Sequence, residues 1–127
     1  MPNFFLVMAG GAIGAALRYG ASRALSVTGP APALAAWPWA TFGVNVIGAL
    51  LMGALAAALT RHGAGEPWRL FAGVGVLGGF TTFSAFSLET FAMIDGGRWA
   101  LAGGYAAASV IASLAALGLG MAMVRAL

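Results

Sequence analysis

The sequence predicts an all-α membrane protein with four transmembrane helices, the third of which is broken. Hydrophobic residues make up 61% of the 127-residue chain and charged residues only 7%, whereas a soluble domain of this length needs many more charges to cover its surface. The few charged residues also divide the chain into four long uncharged stretches. Each stretch reaches, or can be extended to, the ~20 residues that a helix needs to cross a bilayer core.

The four helices are expected at about residues 4–25, 39–59, 70–93 and 99–124, within a single transmembrane domain over residues 1–127. The first is not expected to be a cleaved signal peptide, because no basic segment precedes its apolar run. Residues 28–32, rich in proline and glycine, are expected to break the chain after the first helix. Residues 61–67 form the next predicted connection, and Glu89 and Asp95 are expected to close the third span.

Composition excludes several classes of function. The chain has no lysine and six arginines, which is too sparse a set of basic residues for a nucleic-acid surface. Cysteine is absent, so thiol metal sites and disulfides are excluded. His62 is the only histidine and is expected to be a solvated residue of a connection. One histidine and three acids provide no nucleophile–base pair, and we predict that the protein is not an enzyme.

The arginines give no preferred direction of insertion. Three are expected on the side of the chain termini and three toward the opposite side: Arg61, Arg69 and Arg125, and Arg18, Arg23 and Arg98. Without a positive-inside bias, either a weak local signal sets the topology or the same chain inserts in both directions. Four helices leave little room for a wide central pore. A transport protein of this size is therefore expected to be an oligomer, most simply a two-fold dimer.

The third span contains the most informative stretch, Gly78 to Phe86, which reads GGFTTFSAF. Lipid offers no hydrogen bonds, so a helix that loosens here is tolerated only where protein or a watery cavity covers the freed backbone groups. Freed carbonyls near Gly78 to Thr81 would be hard oxygen ligands for a small cation such as Na⁺. Phe83 and Phe86 share a face if the helix resumes after the break. They are either packing residues or residues whose positive ring edges line a path for an anion.

Two further helices carry polar faces. In the second span Thr41, Asn45, Gly48 and Met52 recur at helical spacing. Asn45 is expected either to join helices, or to line an ion path or fix the broken segment. In the fourth span Tyr105, Ser109 and Ser113 are each four residues apart and form one stripe of hydroxyls. Single serines often bond back to their own helix, but a three-residue stripe makes a ladder of neutral donors.

These motifs resemble a known family, the CrcB/Fluc fluoride channels. Residues 78–89, GGFTTFSAFSLE, resemble its signature GGxTTFSTFSxE; residues 11–19, GAIGAALRY, are similar to its GxxGAxxRY pattern; and residues 39–48, WATFGVNVIG, resemble its GTxxVNxxG segment. The resemblance covers essentially the whole chain in order. Two residues depart from the family pattern: Ala85 stands where threonine is usual, and Ala40 where glycine is usual. Ala85 lacks the threonine hydroxyl, so a side-chain contact of that hydroxyl is not expected here.

The resemblance implies a dual-topology antiparallel homodimer that conducts F⁻ through two pores. It further implies a structural Na⁺, not transported, on the backbone carbonyls of Gly78 and Thr81. The residues expected along the ion path are Phe83, Phe86, Asn45, Thr41, Tyr105, Ser109 and Ser113, with Arg18 at a vestibule that attracts anions.

The predicted function is passive export of F⁻ across the inner membrane of a bacterium by a multi-pass protein. The expected partners are the fluoride ion, a second copy of the chain and the lipid bilayer. The alternative is a small multidrug exporter, which is also short, four-helical and often antiparallel. Export of that kind needs a buried carboxylate at mid-membrane, and Glu89 is expected at the end of its span. A membrane scaffold without transport is the third hypothesis.

Overall fold

The computed structural model of the chain describes residues 2–27, 37–63 and 65–127, and all regular structure in these residues is helical. The elements are α1 (Pro2–Val27), α2 (Trp39–His62), α3 (Glu66–Trp68), a π-helix (Arg69–Leu77), α4 (Gly78–Phe80), α5 (Phe83–Asp95) and α6 (Trp99–Ala126). Four spans within these residues are long and apolar enough to cross a membrane: Pro2–Leu25, Trp39–His62, Glu66–Asp95 and Trp99–Ala126. The predicted all-helical, four-span fold class is confirmed.

Helix ends differ from the expected positions by a few residues. α2 continues through Arg61 to His62 and ends at Gly63, whose positive φ of 59° favours glycine. The third span begins at Glu66, where Pro67 occupies the first turn and needs no amide donor. The connection predicted over residues 61–67 is therefore shorter than expected. The break predicted at residues 28–32 lies outside the described residues.

The third span changes its helical form along its length. Its π-helix has the wider i→i+5 turn, which is often found near functional sites. After the single turn of α4, Thr81 and Thr82 adopt extended conformations, with φ/ψ of −81°/159° and −150°/119°. The helix then resumes as α5. The predicted break is therefore confirmed, and it is confined to these two residues.

Glycines allow the helices to approach each other closely. A Cβ atom on Gly10 or Gly14 of α1 would overlap main-chain atoms of the π-helix, and one on Gly79 would overlap the Gly11 carbonyl oxygen. α2 and α6 form the most extensive helix pair, and Gly53 and Gly120 lie at their contact. Gly10 and Gly14 thus allow α1 to pack closely against the third span. In lipid, where apolar surface gives no driving force between helices, such backbone contact supplies the dispersion energy that holds them together.

The outer surface of the chain is apolar. Large hydrophobic side chains are exposed along all four spans; examples are Phe4, Leu17, Leu51, Leu88 and Leu114. A soluble monomer rarely exposes so much contiguous apolar surface. The exposed side chains therefore face lipid or another protein surface, as the four-span fold requires.

We predict that Gly120→Ala destabilises the protein by about 1–3 kcal/mol. The added Cβ would overlap the Leu50 carbonyl oxygen and lie 2.9 Å from the Ala54 nitrogen, both rigid main-chain atoms of α2. Gly118→Ala is the matched control on the same helix, because a Cβ there meets no neighbouring atom within 4 Å. Thermal unfolding in detergent should show a lower midpoint for the first variant only. Equal midpoints would contradict close α2–α6 contact.

Candidate functional site

The helix break is held by the side chain of Asn45. The Asn45 Nδ2 donates to the Thr82 carbonyl oxygen at 3.0 Å, and the Thr82 amide donates to Asn45 Oδ1 at 2.8 Å. One side-chain amide thus satisfies both backbone groups of a residue that has left the helix. Since an unpaired peptide group within a membrane is costly, this pairing allows the backbone to be extended here. Of the roles predicted for Asn45, the structure shows both the joining of two helices and the fixing of the broken segment.

The same hydrogen bonds divert two amides from their helical acceptors. In an uninterrupted helix the Thr82 amide would donate to the Gly78 carbonyl, and the Ala85 amide to the Thr81 carbonyl. Instead the Thr82 amide donates to Asn45, and the Ala85 amide to the Thr82 hydroxyl at 3.2 Å, which caps α5. The two carbonyls predicted to hold Na⁺ are therefore those whose usual donors are engaged elsewhere.

Thr81 is anchored to the π-helix and to α2 rather than to α5. Its amide and its hydroxyl both donate to the Leu77 carbonyl oxygen, each at 3.0 Å. Its methyl group lies against Gly48 of α2, where an added Cβ would overlap it. The side chain is thus turned back toward the first half of the span, and the Thr81 carbonyl is its remaining polar group at the break.

An open groove of about 280 Å³ lies beside the break. Most of the predicted path residues meet here, since the groove is lined by Asn45, Thr81, Thr82, Phe83, Phe86, Ser109, Val110 and Ser113. These side chains come from α2, the third span and α6, so the groove exists only in the folded bundle. None of the lining residues is charged, and any ion in the groove would therefore contact neutral groups only.

Two phenylalanines form one wall of the groove. The Phe83 and Phe86 ring centroids are 5.5 Å apart, and the Phe86 and Tyr105 centroids are 5.3 Å apart. Phe83 is 79% exposed although it lies far from both ends of the third span. A ring that is so poorly covered by its own chain either contacts lipid or belongs to a site completed by another surface.

The hydroxyl stripe of α6 divides between two environments. Ser109 is 7% exposed, and its Oγ has no hydrogen-bond partner among the described residues. Buried hydroxyls without partners are uncommon, and each calls for an explanation. Ser113, one turn later, also lines the groove. These two serines are therefore the part of the stripe that lies at the groove.

Tyr105 and Thr41 instead bind a carboxylate. The fully buried Tyr105 donates from its hydroxyl to Glu89 Oε2 at 2.8 Å, and Thr41 donates to Glu89 Oε1 at 2.6 Å. Neither lines the groove. Glu89 lies inside α5, which continues to Asp95, and the expectation that it closes the third span is wrong. The sequence did not predict this role of Glu89, because a charged residue is expected at the membrane surface. Glu89 is nevertheless the last residue of the third-span signature.

Arg18 lies at a second cavity of about 280 Å³, not at the groove. This cavity is lined by α1, α2 and the third span, and Thr41, Thr82 and Ala85 also border it. Thr82 borders both the groove and this cavity, and Thr41 borders the cavity and donates to Glu89. The Ala85 methyl lines the cavity wall, so the departure from the usual threonine removes a hydroxyl from this cavity and not from the groove.

We predict that Asn45→Ala destabilises the protein by roughly 2–6 kcal/mol, because two backbone groups of Thr82 lose their partners at about 1–3 kcal/mol each. Asn45→Asp should also destabilise it, since a carboxylate cannot donate to the Thr82 carbonyl. Thr60→Ala on the same helix is the control, because it removes only an exposed bond to the Ala56 carbonyl. Unfolding in detergent measures all three; an Asn45→Ala variant as stable as Thr60→Ala would contradict the pairing.

Comparison with known proteins gives a consistent assignment. A family model described as CrcB-like protein, Camphor Resistance (CrcB), matches residues 5–121. A protein of Novosphingobium aromaticivorans is 54% identical over 120 residues, 94% of this chain and 93% of its own length. A protein of Caulobacter vibrioides is 48% identical over 128 residues, which are 98% of this chain and 97% of its own length. A protein of Erythrobacter litoralis is 47% identical over 121 residues, which are 94% of this chain and 89% of its own length.

Each of these three relatives is named a fluoride-specific ion channel, FluC. The names describe ion channels and not enzymes. The match runs through all four spans and includes the broken third span with its Asn45 partner. With nearly complete coverage on both sides and about half of the residues identical, the protein belongs to the CrcB family.

Proposed function

We propose that this protein is a passive channel selective for F⁻, which lets the ion leave the cytoplasm of a bacterium through its inner membrane. The observation that carries this function is the groove beside the break, an uncharged site that contains a buried hydroxyl without a partner. The names of the relatives support the choice of ion. The inside-negative membrane potential favours outward movement of an anion.

F⁻ is small and strongly hydrated, so a path that admits it must replace water with good hydrogen-bond donors. Ser109 offers a hydroxyl, and Ser113 extends this path by one turn along α6. The Asn45 amide has two N–H groups, of which the Thr82 carbonyl engages one. Because these donors are neutral, they bind an anion without the strong trapping that a fixed cation would cause.

The phenylalanine rings act between the donors. Aromatic rings carry a positive edge, and Phe83 and Phe86 border the same groove as Ser109. Ring edges can therefore stabilise an anion where few water molecules fit. In this mechanism a larger anion such as Cl⁻ is excluded by the narrow path and not by charge. Arg18, at the neighbouring cavity, raises the local concentration of anions near the path.

The working form is proposed to be an antiparallel homodimer with two pores. The groove is open on one side, and a single chain leaves Phe83 mostly exposed. A second copy would cover this side and enclose the path. The arginines support insertion in both directions, because Arg61, Arg69 and Arg125 lie toward one end of the bundle and Arg18, Arg23 and Arg98 toward the other.

A structural Na⁺ is proposed at the break, held by the Gly78 and Thr81 carbonyls. The diverted helical donors leave these oxygens suited to a hard cation. A bound cation would offset the partial negative charge of the carbonyls and fix the two halves of the third span. The ligands on each chain are too few for a complete shell, which supports a site shared between two copies.

The exporter hypothesis keeps one supporting observation, since Glu89 lies inside the third span after all. Its two oxygens accept hydrogen bonds from Thr41 and Tyr105. The family assignment argues against it, because the relatives are named as channels. A scaffold without transport would leave the buried Ser109 hydroxyl unexplained.

Efflux from liposomes tests the channel function. We expect vesicles that contain the protein and KF to release F⁻ rapidly after valinomycin is added, and vesicles with KCl to retain Cl⁻. Ser109→Ala should slow F⁻ release by roughly 10- to 150-fold, because a hydrogen bond to a charged group is worth about 1.5–3 kcal/mol. Ser87→Ala is the matched control, since Ser87 donates to the Phe83 carbonyl and does not line the groove. F⁻ retention by the unaltered protein would contradict the function.

Exchange of cations tests the Na⁺ site independently of transport. We expect the protein to unfold at a lower temperature when Na⁺ is replaced by K⁺ or N-methylglucamine at constant ionic strength. A ligand present at 100 times its dissociation constant stabilises a protein by about 2.7 kcal/mol. Equal unfolding temperatures in the three cations would argue against a structural Na⁺ while leaving the efflux result intact.

A further inference from the structure

A cleft of about 200 Å³ lies between the carboxyl-terminal ends of α2 and α6, and it is lined by Ala57, Thr60, Arg61 and Arg125. It is separate from the groove beside the break. Arg61 is 16 residues beyond Asn45 on the same helix, which at 1.5 Å per residue is about 24 Å along the axis. The cleft is therefore not part of the groove.

Arg61 is held in place at this cleft. Its Nη1 donates to the Val124 carbonyl oxygen at 2.9 Å. This carbonyl is in the last turn of α6, where helical amide donors are lacking. The bond fixes an otherwise flexible side chain between the two helix ends, and it leaves further N–H groups of the planar guanidinium to meet a ligand.

The cleft has an uncompensated positive charge. Two guanidinium groups line it, and none of the lining residues is acidic. Within residues 2–27, 37–63 and 65–127 the ion pair joins Glu66 to Arg69, at 2.6 Å, so neither Arg61 nor Arg125 is paired with a carboxylate there. Two like charges beside one small volume repel each other. An anion bound between the two guanidinium groups would attract both of them and offset their repulsion.

The position of the cleft indicates the chemical class of the anion. The spans Trp39–His62 and Trp99–Ala126 both end beside it, which places it at the level of the lipid headgroups. Arginine presents a rigid fork of donors that matches the oxygens of a phosphate, and basic pockets between transmembrane helices bind anionic headgroups. We propose that this cleft binds the phosphate group of an anionic phospholipid from the surrounding bilayer.

The experiment measures binding of phosphatidylglycerol to the purified full-length protein in detergent by native mass spectrometry, with thermal unfolding as a second readout. We expect the unaltered protein to retain phosphatidylglycerol in preference to phosphatidylcholine. Arg125→Gln should weaken this binding about tenfold, the effect of losing one charge-assisted contact. This variant keeps the Arg61 bond to Val124, so it is expected to fold. Arg61→Gln should weaken binding further.

Arg98→Gln is the control, since Arg98 is an exposed arginine at the amino-terminal end of α6, and it should bind phosphatidylglycerol like the unaltered protein. A parallel arm adds sodium phosphate without lipid. Stabilisation by the lipid alone supports the proposal, whereas equal stabilisation by inorganic phosphate would identify a soluble ligand and overturn the lipid assignment. Equal lipid binding by Arg125→Gln and Arg98→Gln would overturn the site itself.

Discussion

A backbone that leaves its helix inside a membrane must find hydrogen-bond partners within the protein, and Asn45 supplies both partners to Thr82. The features of the site follow from this pairing. Because the Thr82 amide binds Asn45, the Gly78 carbonyl loses its helical donor. Because the Thr82 hydroxyl caps α5, the Thr81 carbonyl loses its donor as well. Asn45 and the Thr82 cap together allow the helix to break and leave the two oxygens of the proposed cation site without their helical donors.

The pairing is effective only if α2 and the third span are held at a fixed distance. Glycines provide that distance, since Gly48 lets Thr81 approach α2, and Gly79 lets α4 lie directly against α1. The wider turns of the π-helix precede this contact. Packing by backbone contact suits a membrane protein because main-chain atoms have few alternative positions. The residues that line the groove lie on α2, the third span and α6, so this packing also sets their relative positions.

The sequence was sufficient to predict the four spans and the position of the break, because hydrophobic runs and the Gly–Gly and Thr–Thr pairs are local signals. The family resemblance placed Phe83, Asn45 and Ser109 along one path, and all three line the groove. The sequence did not predict the partners of these residues, since Thr41 and Glu89 are 48 positions apart and only the fold brings them together. The i,i+4 stripe placed Tyr105 with Ser109, but the longer side chain reaches Glu89 while the serine remains at the groove. The π-helix could not be predicted either, because its i→i+5 hydrogen bonds change the backbone geometry without requiring a characteristic residue type.

Solid-state NMR of the isotope-labelled protein in lipid bilayers tests the Asn45–Thr82 pair directly. We expect a through-space correlation between the Asn45 side-chain nitrogen and the Thr82 carbonyl carbon, together with an extended-backbone carbon shift at Thr82. A helical shift at Thr82 without this correlation would contradict the pairing.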